Sequence, residues 1–150
     1  MKKVYASLIL LLLVVVCNAQ NGSSTEFQIR HGILMDANNT KLTLDLEVML
    51  KATLVNGKIQ STAVVGYRCI RGQKWADIEQ YFNNQDADGW VKVEFPAYPF
   101  VSACNSLINA DDIPITIKQV LRKSLKYNEQ LPTGERFFCL FSIGNCLVFA

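Results

Sequence analysis

The dipeptide Asn56-Gly57, set between two stretches of alternating apolar residues, constrains this chain more than any other feature. A type I′ turn needs positive φ at both central residues, and asparagine and glycine tolerate that best. A two-residue turn here predicts an antiparallel hairpin over residues 42–70, with Val55 opposite Lys58. One face carries the pairs Leu54:Ile59, Ala52:Ser61, Leu50:Ala63, Val48:Val65, Leu46:Tyr67 and Leu44:Cys69, and is assigned to the core. The other carries Thr53:Gln60, Lys51:Thr62, Met49:Val64 and Glu47:Gly66, with Asp45 opposite Arg68 as a cross-strand ion pair. Slippage by one residue would expose the whole apolar set, so the pattern specifies its own register.

Ahead of the hairpin stand Lys2 and Lys3, an apolar run over residues 8–16, and Cys17-Asn18-Ala19. These have the three-part organisation of a secretory signal peptide. Residues 1–19 are therefore set apart, and residues 20–150 are expected to form a single secreted, extracellular, β-rich domain. The apolar run is short for a membrane span, so no integral membrane segment is expected once it is removed. Of 15 basic residues two leave with the signal, and the remaining 13 balance 13 acidic ones. A near-neutral chain is a poor nucleic-acid partner. Asn21-Gly22-Ser23 and Asn38-Asn39-Thr40 make Asn21 and Asn38 candidate glycosylation sites.

Cys69, Cys104, Cys139 and Cys146 remain after the signal. An even number in a short secreted chain predicts two disulfides. Their spacing is not that of a zinc site, and the single histidine, His31, brings no ligand cluster, so no metal site is expected. A last hairpin, residues 136–142 and 146–149, closes on Gly144-Asn145 as a type II′ turn. In that register Ile143 faces Cys146 and Cys139 faces Ala150, which leaves the two cysteines roughly 13 Å apart at the usual strand rise. They should not bond to each other, and by elimination Cys69 and Cys104 each pair with one of them. Both faces of this hairpin are apolar, with Phe137, Cys139, Phe141 and Val148 on one and Phe138, Leu140, Leu147 and Phe149 on the other. Such strands are central in a layered fold or line a cavity.

Between the hairpins the pattern is more varied. Residues 27–35 read as a first strand. Trp75, Ile78, Tyr81 and Phe82 recur at helical spacing, with a third sheet strand as the competing reading. The segment from Asn84 to Gly89 has the oxygen-bearing residues and glycine of an EF-hand loop, but Phe95 stands where the bidentate glutamate is needed, so a polar turn is assigned. Val91, Val93 and Phe95 share one face of a short strand, and Pro96 and Pro99 then hold residues 97–100 as an extended, aromatic edge. Asp111-Asp112-Ile113-Pro114 reads as a helix start, with the acids as caps. Ile113, Ile117, Val120, Leu121, Ser124 and Leu125 form its apolar stripe. Lys118, Arg122, Lys123 and Lys126 form a solvated opposite face, and Lys118, Arg122 and Lys126 offer contact to an anionic surface.

The fold expected is mainly β, a two-layer antiparallel β-sandwich with one amphipathic helix; the alternative is α+β, an antiparallel sheet packed on a helix. Catalysis is not expected: there is no Gly-x-Ser-x-Gly elbow, one histidine, and no glycine-rich phosphate loop or other cofactor signature. The apolar surplus points instead to a pocket, for which Tyr67, Phe95, Tyr98, Phe100, Phe137 and Phe141 are the candidate lining residues.

The run from Gly57 to Arg68, then Gly72 and Trp75, an aromatic-proline segment entering Cys104-Asn105-Ser106-Leu107, and Leu131-Pro132-Thr133-Gly134-Glu135-Arg136-Phe137 ahead of Gly144-Asn145 resemble insect secreted proteins related to the ML lipid-recognition superfamily. The resemblance implies a β-sandwich that holds a lipid or hydrophobic signal between two sheets. The expected function is thus a secreted, non-catalytic binding protein for a small hydrophobic or lipid ligand. The alternative is a protein-interaction module such as a cystatin-like protease inhibitor. Thr62-Ala63-Val64-Val65-Gly66 is similar to the Gln-x-Val-x-Gly loop of that family, but it lacks the glutamine and falls inside a strand.

Overall fold

The computed structural model describes residues 22–37, 43–70 and 79–150. The signal, Asn21, Asn38, Trp75 and Ile78 lie outside the described residues. Strands β1 (Ser23–Asp36), β2 (Thr43–Val55) and β3 (Lys58–Cys69) form an antiparallel meander. Asn56 and Gly57 turn the second into the third at φ of 54° and 81°, both positive as a type I′ turn demands.

The hairpin keeps the expected register only at its tip, where Val55 faces Lys58 and Leu54 faces Ile59. Two bulges on β3 then advance it by one residue each, so Leu50 faces Val64, Val48 faces Tyr67 and Leu46 faces Cys69. Two single slips restore the original face, and Leu44, Leu46, Val48 and Leu50 are buried as the alternation demands. Between the bulges the parity of β3 is inverted. Val64, assigned by simple alternation to the outer face, is fully buried, and Ile59 at the tip is 61% exposed. The cross-strand ion pair moves with the register: Arg68 reaches Glu47 at 2.7 Å, and Asp45 meets His31 at 3.0 Å.

Strand β4 (Val91–Pro96) adds to the far edge of β3. After β5 (Tyr98–Pro99) come two helices, α1 (Phe100–Ile108) and α2 (Ile115–Gln130), and then the closing hairpin of β6 (Cys139–Ile143) and β7 (Cys146–Phe149). The seven described strands make one antiparallel sheet in the order β4-β3-β2-β1-β7-β6-β5. This is a half-barrel, so the expected two-layer sandwich is corrected to a single curled sheet. Bulges on β3 and the irregularity between β3 and β4 increase local twist and bend, which favours curling over a flat pair of layers. The two edge strands are joined by Ala97 alone, so at that corner the edges of the sheet come within roughly 8 Å of each other.

The concave face is filled. Leu34, Leu46, Val48, Val64, Cys139, Phe141, Cys146 and Val148 pack there, together with Phe82 from a 3₁₀ turn at Glu79–Phe82. Over Glu79–Phe82 the chain is this turn, where a helix or strand was expected from Trp75 to Phe82; the first half of that stretch lies outside the described residues. The Phe82 ring stands at 90° to Tyr67 with centroids 5.3 Å apart, and the Tyr67 hydroxyl donates to the Tyr81 carbonyl at 2.7 Å.

The second apolar cluster lies on the opposite face of β6 and β7, where Leu140 and Phe149 meet Phe100 and Cys104 of α1 and Ile117 and Leu121 of α2. One helix was expected and two cover the sheet. Phe100 begins α1 instead of ending an extended segment, because the chain turns at Pro99, whose extended backbone (φ −55°, ψ 132°) sits at the N-cap. The second helix likewise starts after Pro114 with no side-chain cap, so Asp111 and Asp112 belong to the preceding turn.

Candidate functional site

A cleft of about 630 Å³ opens where the curled sheet fails to close. Its walls are Phe95 and Pro96 from β4, Tyr98 and Pro99 from β5, Leu140, Phe141 and Ser142 from β6, and Leu147 from β7. Helix α1 roofs it with Ser102, Ala103, Ser106 and Leu107, an i, i+4 pattern that presents one helical face.

The opening follows from the sequence. In the closing hairpin Cys139 and Ala150 exchange both main-chain hydrogen bonds, so Phe141 and Ile143 also bond inward to β7 while Leu140 and Ser142 point their main-chain groups outward; the Phe138 N–H donates inward to the Ala150 carbonyl at 2.6 Å and only its carbonyl faces out. The Phe138 carbonyl accepts from the Phe100 N–H at 3.1 Å, and Leu140 faces Tyr98. Continuing that register would bring Pro96 opposite Ser142. Proline has no N–H to give, and Pro96 is instead held against β3 opposite Ala63. The outward N–H and carbonyl of Ser142 are left facing the cleft.

Of the six residues expected to line a pocket, Phe95, Tyr98 and Phe141 line this cleft, with the Phe95 and Phe141 rings 6.0 Å apart, and Phe137 lines a second cleft along β1. Tyr98 is 57% exposed at the mouth. Tyr67 belongs to the filled concave core, where burial, reinforced by the negative charges of ionised Cys146 and Cys69, pushes its hydroxyl up to about 12. Phe100 and Phe137 belong to the helix-side cluster, their rings 5.2 Å apart and each against Phe149. Alternation put Phe137 on the face of Cys139, but it precedes β6, and its N–H is turned to the Asn128 side chain at 2.6 Å. Ser102, Ser106, Ser142 and Leu107 were not anticipated; the signal available was the missing amide of Pro96 opposite Ser142.

The two expected disulfides are not formed: Cys69, Cys104, Cys139 and Cys146 are separate thiols. Cys104 lies in the helix-side cluster and Cys139 and Cys146 in the concave one, with the sheet between them. Burial pushes these three thiols up to about 11 and raises that of Cys69, as suits packed, unreactive side chains.

A second cleft of about 560 Å³ lies along β1 and contains Arg30, His31, Glu47, Glu135 and Tyr127. Its charges are engaged locally: His31 with Asp45, Glu47 with Arg68, and the Arg30 guanidinium with the Arg136 carbonyl. Arg68 also lies 4.4 Å over the Trp90 ring. The turn tested against the EF-hand pattern uses the Asp86 carboxylate as an acceptor for the N–H groups of Asp88 and Trp90, at 2.8 and 3.0 Å. Those bonds hold its carboxyl below the ordinary range. Residues 62–66, similar to the cystatin loop, run inside β3 with Val64 buried. Arg122, Lys123 and Lys126 are exposed on α2, and none of them lines either cleft. Comparison with protein-family models, curated proteins and solved structures found no match to this chain.

Proposed function

We propose that this chain is a secreted, non-catalytic binding protein for a small hydrophobic or lipid ligand, held in the cleft between α1 and the open edge of β6. The observation that carries the reading is the proline-opened seam: an apolar recess of about 630 Å³ bounded by rigid strands. That volume falls within the roughly 300 to 1,000 Å³ common to small-molecule sites. Among the described residues, serine hydroxyls are its only polar side chains apart from the Tyr98 phenol, and His31 stands in the other cleft. Such a lining holds a ligand and has no base to activate a nucleophile. The resemblance to ML-related proteins supports the same class of ligand, now at a seam in one sheet instead of between two.

The test is purification under mild conditions from the native source, extraction, and mass spectrometry for bound lipids, paired with displacement of an apolar fluorescent probe. The half-buried Ala103 on α1 provides the control. Ala103→Trp should fill the recess and abolish probe binding while the fold persists. A protein that carries no lipid, binds no probe and inhibits proteases would overturn the proposal in favour of the interaction-module reading.

A further inference from the structure

Resting on that binding function, we propose that the cleft selects a neutral lipid whose polar group is a hydroxyl, anchored at Ser142, and discriminates against the matching carboxylate. Among the described residues, no cleft-lining side chain carries a charge. A carboxylate at the exposed Ser142 end would give up part of its hydration and gain no cation, which is unfavourable. The main chain of Ser142 offers one donor and one acceptor side by side, because the β5 ladder stops at Tyr98. A ligand hydroxyl is at once an acceptor for that N–H and a donor to that carbonyl. A carboxylate satisfies the N–H but sets its second oxygen against the carbonyl.

The roof repeats the pattern. Ser102 already donates its hydroxyl proton to the Pro99 carbonyl at 3.3 Å, leaving its oxygen as an acceptor for a ligand hydroxyl. Ser106, one turn on, presents an uncommitted hydroxyl on the same face. Every polar feature of the described lining is therefore a neutral dipole, and a single added cation should offset the preference.

The experiment is competition for a neutral fluorescent probe by hexadecanol, cholesterol and hexadecanoate, each below its aggregation limit at about pH 8, where the acid is ionised. At least one alcohol should bind about tenfold or more tightly than hexadecanoate, and the linear and sterol arms identify which skeleton fits. Ser106→Lys, at an exposed helix position that lysine suits, should raise the affinity for hexadecanoate relative to the alcohols about tenfold. Equal affinities, a preference for the acid, or a lysine variant that moves neither ligand would overturn the selectivity while leaving lipid binding standing. Failure of all three competitors and of the probe itself would overturn the binding function, and the selectivity with it.

Discussion

Replacing Tyr67 by phenylalanine separates a filled core from a ligand container. Tyr67 is 3% exposed, stacked edge-on to Phe82, and its hydroxyl donates to the Tyr81 carbonyl at 2.7 Å. Phenylalanine keeps the ring contacts and leaves that carbonyl without its donor, at a cost of about 1 to 2 kcal/mol at neutral pH. The difference should change with pH. The folded tyrosine loses its proton only near about 12, whereas in the unfolded chain it does so near about 10. Its folded pKa is raised, so its contribution is fully present below pH ~10 and is lost as pH rises toward ~12. Linkage gives a loss of about 1.4 kcal/mol by pH 11 for the native protein, and none from this position in the variant. The other tyrosines and the Cys104 and Cys139 thiols titrate in both proteins and cancel to first order, while loss of the Tyr67 phenolate eases ionisation of Cys146 and Cys69 in the variant and so adds to the convergence. Urea titrations from pH 7 to about pH 11.5 should therefore show Tyr67→Phe less stable at neutrality, with the two curves converging near pH 11. A gap independent of pH would mean that the Tyr67 hydroxyl meets water, as it would in a ligand-lined cavity, and would refute the filled concavity.

Three further outcomes test other parts of the structure. A double-mutant cycle on Glu47→Gln and Arg68→Met should give a coupling of about 0.5 to 1 kcal/mol, the pair being part-exposed, whereas the cycle of Asp45→Asn with Arg68→Met should give almost none; coupling to Asp45 instead would refute the bulged register. Asn128→Ala removes the acceptor for the Phe137 N–H at 2.6 Å and should cost about 1 to 3 kcal/mol in thermal or urea unfolding; unchanged stability would show that α2 is not tied to the chain entering β6 in this way. Cys104 should resist alkylation in the folded protein and appear as a thiol after denaturation. Peptide mapping that finds it bonded to Cys139 or Cys146 would contradict its place on the helix side of the sheet.

Local chemistry carried much of the fold. Asn56-Gly57 fixes its turn through backbone conformations few other residues accept, and Gly144, at φ 56° with Asn145 outside the positive region, does the same for the closing hairpin. The apolar stripe of α2 likewise emerges as expected, with Ile117 and Leu121 buried. The bulges at β3 left no comparable mark. A bulge depends on how a strand must bend to follow its neighbours, and nothing in Gln60 or Val65 distinguishes it from regular alternation. Its effects are nevertheless concrete: Val64 moves inside and Arg68 changes partner. Helix α1 was hidden because Phe100-Val101-Ser102-Ala103-Cys104 follows two prolines and has no polar cap, so its N-terminal boundary is set by Pro99 and by packing against Leu140 and Phe149. Half of the expected lining was legible because Phe95, Tyr98 and Phe141 sit on strands read correctly as strands. Tyr67 and Phe100 show the limit, since aromatic type alone does not distinguish a core ring from a cleft ring, and Phe137 lines the other cleft.

The same seam weighs the two classes of partner against each other. A peptide that recognises a sheet edge needs several successive main-chain donors and acceptors, because its affinity comes from a ladder. On the outer side of β6 the position of Phe138 is taken by Phe100 and that of Leu140 by Tyr98, so Ser142 is the one position left before the turn at Gly144. A single donor-acceptor pair is too little for strand addition and enough for one polar head group. The recess beside it is walled by Leu140, Phe141 and Leu147 and roofed by Leu107, which gives an aliphatic chain a surface and a peptide backbone nothing to bond. Pro96 thus has two consequences: it stops the sheet from sealing, and it leaves on the open side of β6 too little edge for another chain to join there. A small apolar molecule with one hydrogen-bonding end, the occupant we propose, meets both conditions.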